Sequence, residues 1–118
     1  MILAVMADLM FSVKIIDEAK KRGLRVEFVK DETTALARLE LKPELVILDL
    51  NYAAANPIGL LRRMEGVDTF GFVSHVQVEL RKEAVDAGCK TVVARSAFAQ
   101  KLPEVLARYA GTETTARN

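Results

Sequence analysis

The sequence predicts an α/β domain: a five-stranded parallel sheet, doubly wound, built from five successive strand–helix units. Three observations carry this expectation. Apolar runs of strand length alternate with segments of helical periodicity along almost the whole chain. The stretch LVILDL at 45–50 is apolar without polar alternation until its aspartate, the pattern of a strand covered on both faces. The length of 118 residues, 51% of them hydrophobic, suits one domain with its own core.

Each element has its own warrant. Ile2 to Met6 is an apolar run of strand length. Phe11 to Arg22 carries Phe11, Ile15, Ile16 and Ala19 at helical spacing, and Gly23 follows three cations, a C-terminal stop. Leu24 to Val29 alternates as a half-buried strand. Asp31 caps a helix through Leu41 with Ala35, Leu36 and Leu39 inward, and Pro43 closes it. The central strand follows Glu44. Pro57 stands at the first position of a helix over Ile58–Glu65. Thr69 to Ser74 is a short strand. Val76 to Ala87 is a helix with Val76, Leu80, Ala84 and Ala87 on one face, stopped by Gly88. Thr91 to Ala94 is the last strand, and Pro103 opens a final helix to about Ala110. No repeat or low-complexity block interrupts the series. The polar end, GTETTARN at 111–118, reads as a frayed tail.

Composition removes several functions. The 17 Lys and Arg offset 16 Asp and Glu, a net charge of +1, so the basic excess of a nucleic-acid binder is missing, as is bulk attraction to an anionic membrane. No apolar run approaches the ~20 residues of a membrane span. Cys89 is the single cysteine, which excludes an intramolecular disulfide and a Cys-based zinc site and points to a reducing, cytoplasmic setting. His75 is the single histidine, so no histidine cluster forms. No GxGxxG or GxxxxGK[ST] motif occurs.

In open parallel sheets the ligand chemistry gathers beyond the C-terminal strand ends. The residues there are Met6–Asp8, Asp49–Asn51, Ser74–His75 and Ala94–Ser96. Asp49 ends the apolar run, where a partly desolvated carboxylate suits a nucleophile or a metal ligand. Ser74 can donate a hydrogen bond to a group on Asp49, and Arg95 can bring a cation to the same mouth. Plainer roles stand beside these: Ser74 as the cap of the next helix, His75 as a surface residue at a helix entry, Cys89 as a small packing residue, Arg62 and Arg63 as a solvated face. Tyr52 with Ala53–Ala55 is either a partner-facing loop or an extension of helix toward Pro57.

These residues carry a resemblance. ILAVMAD, PELVILDLNYAAANPIGLLRRM, GFVSH and EAVDAGCKTVVARS, in that order, resemble a response-regulator receiver domain over residues 1–110. The resemblance implies a flavodoxin-like (βα)5 fold with strand order 2-1-3-4-5. It places Asp49 at the phosphoacceptor position, Asn51 where a backbone carbonyl binds Mg²⁺, and Ser74 at the switch Ser/Thr. The sequence departs from the family pattern at the acidic pair after the first strand, where Met6 and Ala7 stand with Asp8 one position beyond. It departs again at the Lys-Pro after the fifth strand, which is Arg95-Ser96. His75 follows the switch position, where the family has a small residue, and Ala53 stands for the usual loop proline.

Mg²⁺ prefers near-octahedral oxygen ligands, and phosphoryl transfer depends on charge neutralisation by that metal. Asp49 alone with one carbonyl and water is a weak site for it, rescued by Asp8 only if the loop turns that side chain inward. Arg95 is expected to pair directly with Asp49. The expectation is a stand-alone, receiver-like signalling module without enzymatic activity, acting by protein–protein contact through the strand-end loops or the last helix and strand. Its Mg²⁺-dependent aspartyl phosphorylation is lost or weakened, with no cofactor and no metal ligand set. Homodimers are compatible with it. One alternative is a working two-component response regulator, phosphorylated on Asp49 by a histidine kinase. A second is a small α/β hydrolase using Asp49, Ser74 and His75, although neighbouring strand residues point to opposite faces.

Overall fold

The computed structural model describes residues 1–74 and 77–110. The readings placed on His75, Val76 and the tail at 111–118 lie outside these residues. Five strands, β1 (Ile2–Val5), β2 (Val26–Val29), β3 (Leu45–Asp49), β4 (Asp68–Val73) and β5 (Thr91–Ala94), form one parallel sheet in the order β2-β1-β3-β4-β5. The helices between and after them are α1 (Leu9–Lys21), α2 (Glu32–Leu39), α3 (Pro57–Arg62), α4 (Val78–Asp86) and α5 (Arg95–Ala107).

The period of two along each strand divides the core into two layers. Ile2, Ala4 and Met6 join Leu45, Ile47, Phe70, Phe72 and Val93 under α1 and α5. Leu3 and Val5 join Val46, Leu48, Val73 and Val92 under α2, α3 and α4. β3 is buried at every position, as its unbroken apolar run requires of the central strand of a two-sided sheet. Gly71 in β4 makes one close approach affordable: a Cβ there would lie 2.9 Å from Leu50 Cδ1 and 3.2 Å from Cys89 Sγ.

The helix ends follow local chemistry. Asp31 caps α2, accepting from the Thr34 N–H at 2.7 Å. Pro57 stands at the start of α3, and Asn56, in the left-handed region at φ 50°, caps it through the Gly59 N–H. Ala53–Ala55 form a short 3-10 turn that ends at the left-handed Asn56, which separates it from α3.

Several boundaries differ from the sequence expectation. α1 begins at Leu9 rather than Phe11, because Asp8 supplies the cap: its Oδ1 accepts from the Phe11 N–H at 2.9 Å. Ile16, expected on the inner face, is 48% exposed, since Ile15 and Ala19 already fill the contact with the sheet. α2 stops at Leu39, short of Leu41, and Lys42 takes φ 54° before Pro43. α3 ends at Arg62, not Glu65. α4 starts at Val78, with Gln77 at its cap position and no side-chain cap, so Ser74 does not cap it. The largest difference is α5, which begins at Arg95 and carries Pro103 inside it rather than at its start. Phe98, Leu102, Val105 and Leu106 lie on one stripe and are all buried, and this burial outweighs the one backbone hydrogen bond that proline removes.

Candidate functional site

The mouth of the sheet beyond β1, β3, β4 and β5 gathers Asp8, Asp49, Asn51, Ser74 and Arg95. Asp49 shares the parity of Leu45 and Ile47, so it points to the side of α1 and α5. It is 9% exposed. Its Oδ1 accepts from the Asn51 N–H at 3.0 Å, the turn that ends β3. Burial pushes the Asp49 carboxyl above the usual carboxylate range, against the smaller opposing effect of that hydrogen bond.

Asp8 is turned into the mouth. Capping α1 uses its Oδ1 and leaves Oδ2 facing Arg95, with which it forms a hydrogen-bonded ion pair. Arg95 stands at the first position of α5, directly after β5, so its side chain rises from the strand end between the two carboxylates. Its Nη1 lies 3.9 Å from Asp49 Oδ2. The guanidinium carbon sits 4.6 Å from the Phe11 ring centroid and 5.6 Å from that of Phe72, within cation–π range of both. The expected Arg95–Asp49 contact therefore exists at the outer margin of an ion pair, while the closer partner is Asp8.

The rings beneath the guanidinium were not foreseen from the sequence. Phe98 stacks on Phe11 at 5.0 Å and on Phe70 at 5.1 Å, and meets Phe72 at 4.5 Å. Phe11 contacts Phe72 edge-on at 5.3 Å. A signal was present: Phe11 follows Asp8 by three positions and Phe98 follows Arg95 by three, the spacing of neighbours on a helix.

Asn51 ties two loops together. Its Oδ1 accepts from the Ser74 N–H at 2.8 Å and its Nδ2 donates to Gln77 Oε1. Its backbone carbonyl accepts from the Ala53 N–H at 3.1 Å. Tyr52 is anchored by its hydroxyl to the Lys30 carbonyl at 2.6 Å, which leaves Ala53 and Ala54 as the exposed part of that loop. Ser74 lines an open depression of about 470 Å³ with Phe11, Arg95, Ser96 and Ala99. Met6, directly after β1, is 1% exposed in the core, and Ala7 beside it is exposed without a carboxylate. Among the described residues no group of three His, Cys, Asp or Glu side chains is arranged to hold a metal ion. Cys89 is buried, with its thiol donating to the Thr91 carbonyl at 3.3 Å and pushed up by burial, which fits a packing role.

The Asp49 carboxyl yields a pH prediction. Its folded-state pKa lies above its unfolded value, so the native state holds the proton more tightly. Ionised Asp49 then costs stability, and that cost sets in as pH rises from the unfolded pKa through the folded one. Asp49→Asn is expected to raise the melting temperature at neutral pH, with the gain shrinking to nothing below the ordinary carboxylate range. Thermal melts of both proteins across that interval check it; a gain that grows on acidification has the wrong sign.

No family model matches this sequence, and no curated protein does. Solved structures do. A response regulator from Hahella chejuensis superposes with a TM-score of 0.78 at 20% identity, covering 92% of each chain. The receiver domain of NtrX from Brucella abortus gives 0.78 at 20% identity, over 95% of this chain and 99% of that one. A putative response regulator from Chloroflexus aurantiacus gives 0.75 at 17%, over 91% and 97%. Against a longer NtrX chain from Brucella abortus the match spans 28% of that protein. With the same strand order and two helical layers, the chain has the fold of response-regulator receiver domains.

Proposed function

We propose that this chain is a receiver-like signalling module that works by protein–protein contact and in which Arg95 replaces the metal as the cation of the acidic mouth. The carrying observation is the placement of Arg95: ion-paired to Asp8, 3.9 Å from Asp49, and seated on Phe11 and Phe72.

The residues present do not fit Mg²⁺. The Arg95 guanidinium, paired with Asp8 and 3.9 Å from Asp49, already occupies the space between the two carboxylates of the mouth. The Asn51 carbonyl is engaged by the Ala53 N–H. Met6 and Ala7 bring no oxygen donor of their own side chains, whereas a magnesium ion needs six oxygens in near-octahedral array. Phosphoryl transfer to Asp49 would build negative charge beside a carboxylate with no divalent ion to spread it. The phosphorylated response regulator is thus the second reading, and no described geometry assembles a hydrolytic relay.

The cation of the mouth is part of the chain, set at the first position of α5, so it does not depend on a diffusible ion. A module of this kind presents one surface to its protein partner. Asn51 supports this by holding the β3–α3 and β4–α4 loops together through Ser74 and Gln77.

Incubation with acetyl phosphate and Mg²⁺, followed by intact-mass measurement, tests the reading. No phosphate adduct is expected on the wild-type protein. An adduct that Asp49→Ala abolishes overturns the proposal in favour of a phosphorylated response regulator.

A further inference from the structure

A groove of about 420 Å³ opens at the edge of the sheet opposite the mouth, where the turns after α2 and α3 lead into β3 and β4. Leu39, Met64 and Val67 line it and pack against the core layer under α2, α3 and α4, so its floor is apolar and held from below. Lys42, Arg63 and Glu65 also line it, and all three are exposed. Neither Lys42 nor Arg63 makes an ion pair or a side-chain hydrogen bond with a described residue. The cations that end α1 and α2 do: Lys21 pairs with Asp17, Arg22 with Glu18 and Arg38 with Glu27.

We propose that this groove docks a short acidic segment of a partner protein. A carboxylate of the segment sits between Lys42 and Arg63, and a neighbouring apolar side chain lies on Leu39, Met64 and Val67. This docking rests on the reading of the chain as a protein-contact module and uses no residue of the mouth.

Charge selects an anion, since two unpaired cations face one carboxylate across the groove. The apolar floor selects the kind of anion. A nucleic-acid backbone is held by a row of cations and gains nothing from Leu39, Met64 and Val67, whereas a peptide carries apolar side chains beside its charge. The backbone of Lys42 adds a separate observation. Its φ of 54° lies in the left-handed region, which a β carbon disfavours and glycine takes freely, as Gly66 does across the groove at φ 71°. The carbonyl ends of α2 and α3 account for positive charge nearby, but not for a lysine at a position that suits glycine. Strain of this kind is kept where the side chain has a task. Exposed ion pairs are weak and screened by salt, so the docking is low in affinity and falls as ionic strength rises.

Nuclear magnetic resonance titration of the isotope-labelled full chain with a capped hexapeptide of alternating aspartate and leucine tests the proposal. The amides of Leu39, Lys42, Gly66 and Val67 are expected to shift, with a dissociation constant near about 1 mM. Hexapeptides alternating lysine with leucine, or aspartate with serine, should leave them in place. Arg63→Gln and Lys42→Gly should each weaken binding about two- to fivefold, and Glu65→Gln should strengthen it about twofold. Lys42→Gly should also hold or raise the melting temperature, an outcome that a lysine kept for the fold would reverse. The proposal is overturned by a silent groove up to about 10 mM peptide, by equal binding of either control peptide, or by a Lys42→Gly protein that melts lower and binds like the wild type. Shifts confined to Asp8, Ser74 and Arg95 overturn the groove and keep the protein-contact reading, whereas a phosphate adduct on Asp49 overturns that reading whatever the groove does.

Discussion

Phe98→Ala is expected to cost about 3–5 kcal/mol, the usual range for removing a buried phenylalanine. Phe98 is fully buried and touches three other rings, Phe11, Phe70 and Phe72. Those rings come from α1 and β4, so the cavity left behind opens between the sheet and two helices and cannot close by the movement of one side chain. A domain of this size has about 5–15 kcal/mol of stability in all, so a loss on this scale takes a large share of it. Urea denaturation should show the midpoint falling strongly with little change in slope. A loss under about 1 kcal/mol would mean that the rings do not pack as a unit. The same substitution withdraws the support under Phe11 and Phe72, and with it the seat of Arg95.

Arg95→Met separates charge from bulk at the mouth. The methionine keeps much of the aliphatic contact with Phe11 and Phe72 but leaves Asp8 and Asp49 without their cation. The carboxylates are shielded unequally: the Asp8 side chain is 22% exposed and that of Asp49 12%. Water reaches 38% of the Arg95 side chain, so the loss is smaller than for a fully buried pair, about 1–2 kcal/mol. The more telling change is in the response to divalent ions. Two carboxylates on one rim with no cation between them should take up Mg²⁺, so the melting temperature of Arg95→Met is expected to rise with millimolar MgCl₂ while that of the wild type does not. Matched NaCl controls remove the ionic-strength effect. Equal responses in the two proteins would show that the guanidinium does not hold the place of a metal. Adding Asp49→Asn to Arg95→Met should remove the Mg²⁺ response, because one carboxylate remains.

The elements were legible because their signals are local. The LVILDL run announces a strand buried on both sides, and the structure buries all of β3. Asp31 and Pro57 mark helix starts through groups within one turn of themselves. Errors arose where a local signal competed with packing across the chain. Pro103 reads as a helix start by itself. The stripe of Phe98, Leu102, Val105 and Leu106 on the sheet carries α5 through it instead. Ile16 has the right spacing for an inner face, yet the sheet has room only for Ile15 and Ala19 beside it. The spacing of apolar residues names a face without saying how much of it the neighbouring layer can cover.

The candidate site divides in the same way. The sequence by itself set which residues stand at the strand ends: Asp8 after β1, Asp49 and Asn51 at and after the end of β3, Ser74 after β4 and Arg95 after β5. It determined these because in a parallel sheet every strand delivers its C-terminal residue to one edge. Only the tertiary structure decided the pairing. Asp8 and Arg95 are separated by 87 positions, and no local rule connects them. Their contact depends on the capping geometry that frees Asp8 Oδ2, on α5 starting at Arg95 without a loop, and on the rings of three elements meeting beneath the guanidinium. Charge partners across a sheet edge are selected by distances of a few ångströms, and those distances follow from how the layers pack.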